Sequence, residues 1–371
     1  MDLATALETW GEPAVLTAGG AVVGLLFGFF AQRSRFCLRA AVLELWHRST
    51  GERLAVWLLA FSTAVVVVQL LALGGQLDVG SARQIANRGS LSGAIIGGLL
   101  FGIGMVMTRG CASRLLVLSA NGNLRALLSG FVFAAAAQAS LGGILVGPRL
   151  WLSNLWMVDG GAPRDLLVQL GLNRWGGLAL GLVWMAAAVF FALRSANRFW
   201  MWVGGVGSGL AVAAAWWFSA AVARASFEVV PVQGLTFSGP SAEWLMRVIS
   251  STGSHGGFDY GMLPGVFVGS LIGALVGREL KIEGFKDGYS MARYIVGAVA
   301  MGFGAIMAGG CAVGAGVSGG AIFALTAWLT LLAMWVGAGL ADLFFDRSPA
   351  AAPVSPDTGP LPSPSQLAMQ P

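Results

Sequence analysis

Charge is the scarcest commodity in this chain. Of 371 residues only 11% are Asp, Glu, Lys or Arg, whereas 56% are hydrophobic, and the mean hydropathy is +0.76. A soluble domain carries about a quarter charged residues, so a soluble globular protein is excluded. Histidine is nearly missing: His47 and His255 fall in expected loops with no partner at ligand spacing, which excludes a histidine-based metal or catalytic site. Cysteine occurs three times, an odd number in apolar or glycine-rich surroundings, so a disulfide framework is not expected. No phosphate-binding glycine loop, dinucleotide fingerprint or nucleophile elbow occurs, so neither an enzyme nor a bound cofactor is expected. The first dozen residues, MDLATALETWGE, carry acids where a cleavable signal would carry bases. The net charge of +5 does not imply nucleic acid, because the arginines stand singly at the ends of apolar runs.

What the chain has instead is glycine, 55 residues, and tryptophan, 14 residues. Both fit a polytopic membrane protein, in which Gly is enriched in helices and Trp at the interface. Crossing a hydrocarbon core of about 30 Å takes roughly 20 apolar residues. Nine runs qualify, near residues 13–30, 53–73, 91–107, 124–146, 174–193, 199–220, 262–277, 291–308 and 321–344. The fold class expected is all-α, with the first, third, seventh and eighth runs short, glycine-rich and either tilted or broken or re-entrant. Basic residues are more numerous in the segments that face the cytoplasm if the N-terminus lies outside, which gives N-out, C-in by the positive-inside rule. Residues 1–12 form an external segment, 13–345 the transmembrane domain, and 346–371 a proline-rich cytoplasmic tail. The stretch 221–261, too polar to span, is expected to pack over the external face.

Two of the cysteines sit in matching frames. Shifted by 200 residues, Ile95, Gly97, Gly102, Gly104, Met107, Gly110, Cys111 and Ala112 fall on Ile295, Gly297, Gly302, Gly304, Met307, Gly310, Cys311 and Ala312. GLLFG at 24–28 with Arg35 and Cys37 recurs as GLLFG at 98–102 with Arg109 and Cys111. A weaker echo, GVFVG at 265–269, leads at the cysteine spacing to Arg278. The chain therefore divides into halves of about 13–146 and 174–345 that run in opposite senses through the membrane. Such inverted repeats build transporters with a site near the midplane. The glycines let backbones approach, and those directly before Cys, Gly110 and Gly310, let the helix stop and the chain turn left-handed.

The substrate path is expected at Cys37, Cys111 and Cys311, supported by Arg35, Arg109, Arg114, Gly110 and Gly310. Soft thiols could meet Cu(I) or a sulfur-bearing anion. Arginines lie next to two of the cysteines and no Asp or Glu lies within six residues of any, which favours the anion. GCAS with its preceding G-x-G, GGCAVG, SRFCLRAA and LTFSGP together resemble the YeeE/YedE family of sulfur-transport membrane proteins over roughly residues 13–345. The resemblance implies two pseudo-symmetric halves, a location in the cell inner membrane, thiosulfate or a related sulfur anion as substrate, and path-lining cysteines at Cys37, Cys111 and Cys311. It also implies a cytoplasmic TusA-like sulfurtransferase as partner, and for some relatives a selenium compound. A persulfide-relay sulfurtransferase is the alternative from another class, disfavoured because no general base lies near the Cys–Gly frames.

Overall fold

The computed structural model describes residues 3–49, 51–195, 197–250, 256–284 and 288–345. The proline-rich tail, His255, Lys286 and Arg347 lie outside these. Helices carry the architecture: α1 (Glu12–Arg33), α2 (Leu38–Trp46), α3 (Glu52–Leu73), α4 (Leu91–Met107), α5 (Ala112–Ala120), α6 (Leu124–Gly142), α7 (Arg174–Arg194), α8 (Phe199–Ala225), α9 (Ser238–Ile249), α10 (Phe258–Gly277), α11 (Gly288–Met307) and α12 (Leu325–Phe345). A π-helical stretch, Ala312–Gly319, lies between the last two. Among the described residues nine stretches are long and apolar enough to cross a membrane, three of them the broken pairs α1–α2, α4–α5 and α11–π-helix. Polar side chains start several spans: Ser90, Asn123 and Asn173 accept from the N–H of Gly93, Ala126 and Gly176, which satisfies otherwise orphaned helix-end donors.

Glycines decide how the helices meet. Gly20, Gly24 and Gly28 of α1 lie against Phe258, Met262 and Val266 of α10, and a Cβ on Gly24 would stand 2.2 Å from the Met262 carbonyl oxygen. With no Cβ the backbones close to a distance only small residues permit. Residue numbers rise together along this pair, so α1 and α10 are parallel. Gly97 of α4 faces Gly304 of α11, and Gly104 faces Gly297, so the two 200-residue copies run antiparallel. By the same reasoning α4 is parallel to α12 (Gly98 on Thr330, Gly102 on Met334), α8 is antiparallel to α1 (Gly204 on Phe30, Gly19 on Phe218), and α7 is antiparallel to α3 (Gly177 on Gln69, Gly181 on Val65). Each relation is the one that nine alternating crossings require. The halves interlock: α1 packs chiefly on α10, and α4 on α11 and α12.

Part of the segment expected to cover the external face enters the bundle instead. Helix α8 continues to Ala225, and Leu235 and Phe237 of LTFSGP are buried in the core before α9 begins. Polarity alone cannot distinguish a surface loop from a polar strand of chain buried inside a bundle. The hydroxyl of Ser318 donates to the Leu235 carbonyl at 2.7 Å, so this buried backbone is partly satisfied by the π-helix beside it.

Candidate functional site

All four glycine-rich repeat helices end in the same backbone motif. At the ends of α1, α4, α11 and α10, the N–H of Phe36, Gly110, Gly310 and Glu279 returns five residues to Ala31, Met105, Ala305 and Ala274. The preceding residue is left-handed each time: Arg35 (φ 53°), Arg109 (φ 58°), Gly309 (φ 79°) and Arg278 (φ 53°). This is a Schellman cap. It corrects two expectations. The left-handed residue is two before the cysteine, not Gly110 or Gly310 directly before it, and in three of the four caps it is an arginine. Arg278 sits at that left-handed position, so the residue equivalent to the cysteines is Leu280; α10 is two residues longer between motif and cap. In the three cysteine copies the thiol-bearing residue then starts the next helical segment: Cys37 for α2, Cys111 for α5, Cys311 for the π-helix.

Because α4 and α11 are antiparallel, their cysteines lie at opposite ends of the pair. Cys37 joins Cys111. The two buried thiols lie within interaction range of each other, and Cys111 Sγ lies 3.4 Å from Ser113 Oγ. The half-buried Arg114 guanidinium is within electrostatic reach of both thiols and donates to Gln32 Oε1 at 3.4 Å. Gln32 Nε2 donates to Glu279 Oε2 at 2.6 Å, and the exposed Arg35 pairs with Glu279 Oε1 at 3.2 Å. The acid missing from the local sequence thus arrives from the end of α10. Arg109 is exposed at the bend, while Gly110 is buried just behind Arg114 and Leu115. His47, expected in a loop without a partner, ends α2 and holds the buried Asp342 of α12 at 2.7 Å.

Cys311 stands apart from that pair. Its sulfur accepts from the N–H of Gly314, capping its own helix, and from the N–H of Phe237, each at 3.4 Å. Gln84 Nε2 donates to the Gly314 carbonyl at 3.0 Å. Gly310 is pressed on the backbone here: a Cβ would fall 2.7 Å from the Ala315 nitrogen. Next to this cap, a recess of about 20 Å3 is lined by Arg83, Gln84, Trp216, Gln233, Thr236 and Gly309. The Trp216 indole nitrogen is buried there with no hydrogen-bond acceptor among the described residues. Beyond it opens a cavity of about 310 Å3 carrying Arg83, Arg88, Arg149 and Arg164. Arg164 donates to the Asn87 carbonyl and to Thr326 Oγ1, and its burial pushes the guanidinium below its ordinary pKa. Arg88 pairs with Asp159 at 3.0 Å. Arg83 and Arg149 form no ion pair among the described residues. The cysteine repeat does not mark Arg83, Arg149, Trp216, Gln32 or Glu279, and only folding gathers them.

The arrangement is therefore a basic bowl, a narrow polar recess and one thiol at one end, and two thiols beside a guanidinium at the other. Comparison with known proteins agrees with that chemistry. A profile of the family described as Sulphur transport matches residues 33–340. The thiosulfate transporter TsuA of Escherichia coli strain K12 is 25% identical over 339 residues, covering 86% of this chain and 91% of its own. The thiosulfate transporter TsuA of Spirochaeta thermophila is 28% identical over 342 residues, covering 86% and 96%. With the family pattern spanning most of its length and three thiols at the bends of its broken helices, this membrane protein belongs to the sulphur-transport family.

Proposed function

We propose that the protein takes up thiosulfate, or a closely related small sulfur anion, across the cell inner membrane into the cytoplasm. The observation that carries this reading is the placement of the thiols: Cys311 behind a basic bowl at one end, Cys37 and Cys111 beside Arg114 at the other. The bowl, with Arg83 and Arg149, collects the dianion from outside. Its oxygens meet guanidinium and indole N–H donors, and its terminal sulfur accepts a hydrogen bond from a protonated thiol. A thiolate would repel a dianion, so the three cysteines work as S–H donors and no sulfur is covalently transferred. Successive weak sites let the anion move without being trapped. The relatives named thiosulfate transporters support the substrate, and the alternating helix directions with the basic loop bias support an external N-terminus and a cytoplasmic C-terminus. A soluble TusA-like sulfurtransferase, implied by the family resemblance, receives the anion inside.

Two negative charges moving inward against 100 mV are opposed by about 4.6 kcal/mol, so uptake is coupled to an ion or driven by rapid consumption inside. Uptake of radiolabelled thiosulfate by proteoliposomes containing only this protein is the test. Accumulation above protein-free vesicles, competed by unlabelled thiosulfate, is expected; vesicles that stay at background sink the reading. Reporter fusions after Arg347 and at the N-terminus should report opposite sides of the membrane.

A further inference from the structure

Aromatic rings connect the two thiol layers. Phe237, whose N–H holds Cys311, packs its ring 5.5 Å from Phe27 at an interplanar angle of 41°. Phe27 in turn meets Phe36 at 6.1 Å and 80°, and Phe36 directly precedes Cys37. These are ordinary attractive ring geometries, and Phe27, Phe36 and Phe237 are 1%, 3% and 1% exposed. The middle ring touches both others. The repeat marks this as particular to one copy. Phe36 stands where the other cysteine frames have Gly110 and Gly310, and neither of those can carry a ring. Phe237 comes from the buried LTFSGP segment, which has no counterpart beside Cys37 or Cys111 in the described contacts.

We infer that Phe27, clamped between Phe237 and Phe36, is the barrier between the two thiol layers and selects anions that carry an exposed sulfur. The inference rests on the proposed uptake path. Three packed rings offer an anion's oxygens no hydrogen bond, so a fully oxygenated dianion meets a dry constriction of the kind that gates by dewetting. A terminal sulfur is different: it is polarisable and makes favourable contacts with ring edges. Thiosulfate can lead with its sulfur from Cys311 past the rings to Cys37, while sulfate has no such leading atom. Phe27 moves aside during passage, and Phe237 and Phe36 set how far.

The test is anion entry into proteoliposomes holding the full chain, with sulfate and thiosulfate influx measured side by side and gluconate as a monitor of torn or unfolded protein. Phe27→Ala removes the middle ring; Phe27→Tyr keeps it and adds a hydroxyl that wets the constriction. Sulfate influx is expected to rise by about tenfold or more in Phe27→Ala, the factor that about 1.4 kcal/mol of barrier produces, and by less in Phe27→Tyr, with gluconate still excluded. Raised sulfate influx in either variant supports the barrier. Sulfate influx at the level of the unsubstituted protein in both overturns it, and if Phe27→Ala fails to insert, Phe27→Tyr decides alone in the same two ways. Failure of the unsubstituted protein to take up thiosulfate would instead sink the uptake reading, and the sulfate measurement would still report on the rings.

Discussion

The two ends of the proposed path start from one backbone device and finish with different chemistry. At both, a glycine-rich helix stops in a Schellman cap and a cysteine opens the next turn. At the Cys311 end the sulfur faces main-chain N–H groups of Gly314 and Phe237, and the side-chain cation Arg83 lines the recess beyond. At the other end two thiols face each other, and Arg114 stands where the second copy has Gly314. A repeat therefore duplicates backbone geometry more faithfully than it duplicates a site. Side chains next to the cap, and the halves' antiparallel placement, decide which groups each thiol meets.

The comparison is broken most severely by removing the thiols. Cys311→Ala, Cys37→Ala and Cys111→Ala should each lower thiosulfate uptake at least about tenfold, the loss expected when a donor to a charged ligand disappears, while insertion stays normal. Ser should rescue poorly, because its hydroxyl is a harder and shorter donor. Uptake close to normal in all three Ala variants would return the cysteines to packing residues.

The two charge environments are separated next. Arg114→Ala should raise the half-saturation concentration for thiosulfate roughly tenfold to hundredfold, from about 1.5–3 kcal/mol for a charge-assisted partner. Arg109→Ala should raise it less, since Arg109 is exposed at the bend and Arg114 lies beside the thiols. An equal effect of the two, read from concentration-dependent uptake, would place Arg109 in the path on the same footing.

The glycines before the cysteines sharpen the contrast through stability. Gly310→Ala forces a methyl against the Ala315 nitrogen at 2.7 Å and should destabilise by about 1–3 kcal/mol. Gly110→Ala meets nothing closer than Leu115 Cδ2 at 3.4 Å and should change stability by less than about 0.5 kcal/mol. Thermal unfolding of the purified protein in detergent compares them directly. The smallest effect belongs to the left-handed position: Arg109→Gly, which copies Gly309, should stabilise the cap by about 1 kcal/mol by removing left-handed strain. A lower unfolding temperature in that variant would mean the Arg109 side chain contributes more than its backbone strain takes away.

Much of this was legible in the order of residues. Scarce charge and nine apolar runs determined a helical membrane protein, because hydrocarbon admits backbone only when its hydrogen bonds close within the segment. The 200-residue offset picked out Cys111 and Cys311 and the glycine faces on which α4 and α11 meet, since close helix contact demands a missing Cβ at fixed spacing. The spacing could not say which thiols meet, because that depends on helix direction: parallel helices such as α1 and α10 end on the same side, antiparallel ones such as α4 and α11 on opposite sides. It could not locate the acid near Arg35, because Glu279 comes from 244 residues away. Nor could it reveal that LTFSGP enters the core, or that Phe237, Phe27 and Phe36 touch. Local periodicity reports what each helix buries, and only the packing of the whole bundle reports against what.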